Sequence, residues 1–347
     1  MPEPTENATT LGHPPIKPRT APTRLRRRPA AIITRLGAVV LLAVVAGCGS
    51  AAASPGGGGL EKTHLTVAVL PATDDAPFWL ALKDGYFRHE GLTVTPKLVA
   101  QSTLAVPEMV HGSVDVIGGG NYVSFFQAQA RGALNIRVIA PAGSCTSDDF
   151  AVVALPSSRI TSPAGLAGKT IAVGLTHSIS TLTVNEMLAA NNVSAASVHY
   201  AAVPYPDILA ALKKGDVAAA SLVEPFLSEA EVSAGAQVIL PQCQGPTAGL
   251  PLSGYFATAA WVHANPRTAR AFAAAIERGQ ALADNDRAAV EKILPTYIRG
   301  SAGITAVVNL NAYPTSLDAV LIQRVANLML SGGLLAKRLA VAPLLFR

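Results

Sequence analysis

Charged side chains are scarce in this 347-residue chain, at 14%, and aromatic ones scarcer still, at 5%. Beyond the first 48 residues no stretch near 20 residues long is apolar and free of charge, so no later segment has the length of a membrane span. No metal-ligand spacing, Walker loop or dinucleotide fingerprint occurs, and neither a metal nor a cofactor is expected. The basic excess is confined to one place. Lys17, Arg19, Arg24, Arg26, Arg27, Arg28 and Arg35, set against Glu3 and Glu6, account for the whole formal charge of +5. The remainder is balanced, which removes the main argument for a nucleic-acid partner.

What the N-terminal part does contain is a basic run followed by twelve uncharged, mostly apolar residues from Leu36 to Gly47, ending at Cys48. That is too short to span a bilayer and reads as an export signal. Val45-Ala46-Gly47-Cys48 resembles the bacterial lipobox, which implies a signal peptide over 1–47 and a diacylated Cys48 as the new N-terminus. The glycine-rich stretch that follows reads as a flexible tether over 48–63. The mature chain is thus expected outside the cell membrane, held by a lipid anchor. With Cys48 lipidated, Cys145 and Cys243 form an even pair in an oxidising compartment, either joined or left as thiols in separate loops.

From His64 onward short β-branched runs alternate with helical segments, the pattern of an α/β protein with mainly parallel sheets. Leu65–Leu70 and Leu92–Leu98 read as strands flanking a helix that opens near Asp74-Asp75. Two later stretches echo each other. One passes from Gly112 through Asp115, a strand at Val116-Ile117 and a glycine loop to a helix at Asn121; the other runs from Gly215 through a strand at Val217–Val223 to Glu224-Pro225. Such doubling suggests two lobes built alike. Ala257–Val262 is expected as a strand, Asn265 as the cap of a long helix, and the tail to Leu339 as helical.

Leu65–Val94, with its phrase A-L-x-x-G-Y-F-x-x-E-G-L-x-V at Ala81–Val94, resembles the substrate-binding proteins of ABC importers for alkanesulfonates, taurine and nitrate, the NMT1/THI5-like group. Gly112–Asp115, Gly118–Asn121, Leu166–Lys169, Thr176–Ser180, Ala211–Gly215 and Glu224-Pro225 extend the likeness to about Leu335. The resemblance implies a two-lobed, type II periplasmic-binding fold, with lobe one at 64–154 plus 251–347 and lobe two at 155–250. It also implies a small-molecule ligand in the cleft, permease and ATPase partners, and action as a monomer.

Candidate binding residues fall where loops follow strands. Thr176, His177, Ser178 and Ser180 precede a helix, where free N–H groups and the dipole favour an anion; a plain N-cap is the bland reading. Gly119, Gly120 and Asn121 either let backbone approach a ligand or make a tight turn. Ser102 and Thr103 offer hydroxyls. On the family pattern Asp75, Phe78 and Trp79 open the first helix at the cleft mouth, with a cap and core rings as the alternative. Glu224 follows a strand and either pairs with a ligand amine or answers a helix dipole. Phe78, Trp79, Tyr122, Tyr205, Phe226, Tyr255 and Phe256 all sit at element junctions, which hints at an organic ligand.

These readings converge on a non-enzymatic receptor for a small sulfonate-like anion. A receptor for nitrate or a pyrimidine/thiamine precursor, or the binding lobe of a membrane sensor, is the alternative. The thiamine-pyrimidine synthases of the same fold carry a cysteine-rich cluster that Cys145 and Cys243 do not reproduce.

Overall fold

The short β-branched runs form ten strands, in the order β1 (His64–Val69), β2 (Thr93–Leu98), β3 (Val116–Asn121), β4 (Ile136–Pro141), β5 (Phe150–Ala154), β6 (Thr170–Val173), β7 (His199–Ala202), β8 (Ala219–Val223), β9 (Gln237–Pro241) and β10 (Ser253–Thr258). The computed structural model describes residues 59–300 and 303–347, so the expected export signal, Cys48 and most of the tether lie outside the described residues. The strands make two five-stranded sheets, ordered β2-β1-β3-β10-β4 and β7-β6-β8-β5-β9. The two orders are the same pattern. β3 and β8, the strands of the echoing stretches, hold the same third place.

Each sheet is mixed, with four of its five strands running the same way, as expected, and one reversed. β1 pairs in parallel with β2 and β3, and β6 with β7 and β8, while β10 and β5 run antiparallel to both of their neighbours. The antiparallel member is in each case the first strand after the chain changes sheet. β5 lies wholly in the second sheet, so the first crossing precedes Phe150, not residue 155 as expected from the sequence. The crossing segments run side by side, with Cys145 N donating to Leu250 O (2.9 Å) and Leu252 N to Gly143 O (3.0 Å).

Eleven helices cover the sheets among the described residues: α1 (Ala76–Lys83), α2 (Tyr86–His89), α3 (Val106–His111), α4 (Tyr122–Ala130), α5 (Ile179–Ala190), α6 (Tyr205–Lys214), α7 (Phe226–Ala234), α8 (Ala259–Ala264), α9 (Pro266–Asn285), α10 (Arg287–Ile293) and α11 (Ala319–Ser331). The apolar face of α9 (Ala269, Phe272, Ala275, Ile276) packs with Phe78 of α1 over Val67 and Val69. A second cluster joins Phe125 and Phe126 of α4, Val325 and Met329 of α11, and Ile179 and Leu182 of α5, and so crosses from one lobe to the other. In β5, Ala151 and Val153 pack on one face and Val152 and Ala154 on the other, as a strand buried on both sides must.

Three local expectations change. The glycines 118–120 lie within β3, Ala259–Ala264 is a helix rather than the end of a strand, and the chain between α10 and α11 is largely non-helical. Asn265 occupies the cap position of α9 without capping it. The Glu61 carboxylate does so instead, accepting from Arg267 N (3.1 Å) and Thr268 N (2.9 Å). The tether therefore ends before Leu60, which packs on the lobe-one core.

Cys145 and Cys243 are joined, with Cα atoms 5.4 Å apart across 98 residues of sequence. The bond closes a loop that contains the whole second sheet. Chain-entropy arguments assign such a loop about 4.7 kcal/mol. Replacing both cysteines with alanine should lower unfolding free energy by about 2–5 kcal/mol, read by denaturant titration against the oxidised parent.

Candidate functional site

The carboxyl ends of parallel strands in two facing sheets, with their antiparallel neighbours starting beside them, make a natural place for a cavity. Leu70 and Ala72 follow β1, Ala100, Gln101 and Ser102 follow β2, and Gly119 and Asn121 end β3. Gly174, Leu175, Ser178, Ile179 and Ser180 follow β6, and Val223 ends β8. Phe150 and Ser253 begin the antiparallel strands. Together with Asp74, Tyr205 and Leu252 they enclose about 650 Å³ of empty space, counting the part open to solvent. Gln101 Nε2 donates to the Gly174 carbonyl and so links the two lobes.

Of the expected site residues, Ser102, Gly119, Asn121, Ser178 and Ser180 line this cavity. Ser178 caps α5, exchanging hydrogen bonds with Thr181 in a capping box, and the Ser180 hydroxyl meets the Tyr205 hydroxyl at 3.2 Å. Burial pushes the Tyr205 hydroxyl up to about 12, so it stays protonated and able to donate. Asn121 caps α4 by accepting from Ser124 N at 2.9 Å.

The other expected residues point elsewhere. Asp75 is fully buried and accepts from Leu70 N at 2.7 Å, which folds the chain over after β1. Phe78 belongs to the lobe-one core, and Trp79 stacks on Tyr297 with ring centroids 4.9 Å apart. Gly120 packs against Phe256 and Phe125, where a side chain would collide at 2.6 Å. Thr103, Thr176 and His177 are half-buried or exposed beside the cavity rather than on its wall. Of the junction aromatics only Tyr205 lines it.

Glu224 is the sharpest correction. Its carboxylate accepts from Ser228 N (3.0 Å), Ser228 Oγ (2.8 Å) and Asn309 N (3.0 Å), and its carbonyl accepts from Thr73 N (3.3 Å). Those bonds occupy it as a tie between the lobes and leave it 0% exposed. Asp149 is engaged in the same region, accepting from Asn311 Nδ2 at 2.7 Å and Thr146 N at 3.1 Å.

Among the polar wall residues that sequence reasoning missed, with Gln101 and Ser253, is Asp74, which sits beside Ser253 and accepts from its hydroxyl. Its signal was available, since it follows β1 directly and the carboxyl ends of strands are where ligands bind. Phe150, Leu252 and Ser253 carried no comparable sign, because the reversal of β5 and β10 is invisible in their composition. Eight of the eighteen lining residues are apolar: Leu70, Ala72, Ala100, Phe150, Leu175, Ile179, Val223 and Leu252. No arginine, lysine or histidine is among the lining residues.

Two mixed α/β sheets facing across a cavity are the architecture of the periplasmic binding proteins. The family model described as NMT1/THI5 like matches residues 72–288, and the chain belongs to that family. Among solved structures it is similar to the alkanesulfonate-binding protein SsuA from Xanthomonas axonopodis pv. citri bound to MOPS, at 20% identity and a TM-score of 0.67 over 83% of this chain and 100% of the other. It is also similar to the periplasmic nitrate-binding protein NrtA from Synechocystis PCC 6803, at 16% identity and 0.61 over 70% and 68%. The desulfurization enzyme DSZB shares the fold at 16% identity and 0.61 over 82% and 96%. Comparison with curated proteins yields no match.

Burial pushes the carboxyls of Asp74, Asp75, Asp149 and Glu224 above their ordinary range. A carboxyl whose pKa is higher folded than unfolded binds more protons in the folded state, so its support for folding is lost as pH rises. Glu61 acts oppositely: desolvation raises it, yet hydrogen bonds from Thr268 and Arg267 hold it at about 2, so its contribution is lost only as pH falls below 4.5. The melting temperature of the ligand-free protein should therefore decline as pH rises above the ordinary carboxylate value of 4.5. Asp75→Asn should flatten that decline; an unchanged profile by scanning calorimetry refutes the assignment.

Proposed function

We propose that this protein is an extracytoplasmic solute receptor that captures a small organic molecule between its lobes and delivers it to an ABC permease. The observation that carries the reading is the cavity itself, whose wall draws residues from both sheets and whose lobes are linked by the Gln101–Gly174 bond. A solute enclosed in this way requires the lobes to part for entry and release, which makes lobe closure the signal a permease reads. Family membership and fold neighbours that include alkanesulfonate- and nitrate-binding proteins support the same reading.

The ligand expected from the sequence was a sulfonate-like anion. The start of α5, with the Ser180 hydroxyl, is the feature of the wall that suits an anionic group. The apolar remainder suits a carbon framework. A receptor is favoured over an enzyme because the only titratable lining residues are Asp74 and Tyr205, and neither Cys145 nor Cys243 is a free thiol. For location, the proposal keeps the leader and lipobox reading, with Cys48 as the lipidated residue.

A saturating ligand, at 100-fold excess over its dissociation constant, should add about 2.7 kcal/mol of stability. A thermal-shift panel of sulfonates, carboxylates and pyrimidines reads this, and a flat response throughout rejects the receptor reading. Cys48→Ser should move the protein from the membrane to the soluble fraction of cells; unchanged retention rejects the anchor.

A further inference from the structure

Asp74 has a carboxylate oxygen with nothing to bind. The residue lines the cavity and is 9% exposed, its Oδ2 accepts from the Ser253 hydroxyl, and its Oδ1 has no partner. Of the protein donors nearby, two are committed elsewhere, and the buried Tyr255 hydroxyl, which has no partner of its own, faces Asp75. Gly143 N donates to Ser253 Oγ at 3.2 Å, and the Thr73 hydroxyl donates to Asn311 Oδ1 at 2.5 Å. The carboxyl is also fixed in place, since a side chain at Gly143 would meet Asp74 Cγ at 2.9 Å. A rigid, buried acceptor left open in a ligand cavity is preorganised for a donor that arrives from outside.

The charge of that donor follows from what surrounds Asp74. Three further carboxyls are buried close by, on Asp75, Asp149 and Glu224, together with the hydroxyls of Tyr205, Tyr255, Tyr297 and Tyr313. None of the four carboxyls takes part in the ion pairs found among the described residues. No lysine, arginine or histidine lines the cavity. The site thus holds acidic groups without a protein cation to answer them.

We propose that Asp74 is the specificity-determining residue of the cavity and that the solute carries a protonated amine, or an equivalent nitrogen donor, that hydrogen-bonds its Oδ1. The inference rests on the receptor reading above and sharpens it: the ligand is not a simple anion. An anionic group, where the solute has one, lies at the start of α5, and the nitrogen lies at Asp74. Burial raises the Asp74 carboxyl, so an amine that meets it drives the carboxyl toward its charged form and expels any proton it holds. An amine-free anion has the opposite requirement. It needs Asp74 protonated and binds with proton uptake.

The test compares matched pairs on the full-length mature protein by calorimetric titration: ethanesulfonate with taurine, propanoate with β-alanine, and 2-methylpyrimidine with its 4-amino derivative. In at least one pair the nitrogen-bearing member should bind at least about tenfold more tightly, and in Asp74→Asn that advantage should shrink to within about threefold. The comparison within wild type stands even if the variant folds poorly. Equal affinity in the pairs, an advantage that survives in Asp74→Asn, or tight binding of the amine-free anion with proton uptake overturns the proposal while the receptor reading stands. Absence of binding by every compound overturns both.

Discussion

The cavity exists because the two sheets are pinned together behind it at Thr73. Its backbone N–H donates to the Glu224 carbonyl of the opposite lobe at 3.3 Å, and its hydroxyl, lying near the same carbonyl, donates to Asn311 Oδ1. Asn311 in turn donates to Asp149, and the Tyr313 hydroxyl donates to the Thr73 carbonyl at 3.2 Å. Buried polar groups are costly unless paired, and hydrogen bonds are directional, so this seam fixes how the lobes meet as well as that they meet. Asp74 is the next residue in the chain. Its position on the wall is a consequence of where Thr73 is held.

The seam also explains how four carboxyls can be buried without ion pairs. Asp75, Asp149 and Glu224 each accept backbone N–H bonds, from Leu70, from Thr146, and from Ser228 and Asn309 respectively. Such donors supply partial positive charge without a cation, and raised pKa values reduce the charge to be compensated. Asp74 differs because it accepts from one side chain only. Across the same cavity the start of α5 presents the positive end of a helix dipole. With eight of the eighteen lining residues apolar, both features act in a medium that weakens neither as water would.

Much of the architecture was legible in the sequence because it is written in repeated local signals. Alternating strands and helices gave the α/β class, and the echo between Gly112–Asn121 and Gly215–Glu224 corresponds to equivalent strands in two sheets of one topology. The helix starts near Asn121 and after the Thr176–Ser180 loop were readable, and the caps found there, Asn121 and Ser178, border the cavity. What could not be read depends on direction and distance. Nothing in Phe150–Ala154 says that the strand runs antiparallel in the second sheet. Nothing in Glu224 says that Ser228 and Asn309, four and 85 residues away, consume its carboxylate.

The phrase that carries the family resemblance marks a different kind of limit. Gly85 and Gly91 adopt positive φ values of 76° and 79°, Phe87 stacks on Phe272 at 5.4 Å, Leu92 is buried, and Tyr86 lies under the Arg278 guanidinium at 4.2 Å. All of these are packing contacts between α2 and α9 or turns that allow them. None lines the cavity. A stretch fixed by packing reports the scaffold, whereas the cavity wall is built from positions such as Asp74, Gln101, Tyr205 and Ser253 that lie outside that phrase. The Ala81–Val94 phrase is therefore a record of scaffold packing alone, whereas Gly118–Asn121 and Thr176–Ser180, which extend the same likeness, also border the cavity.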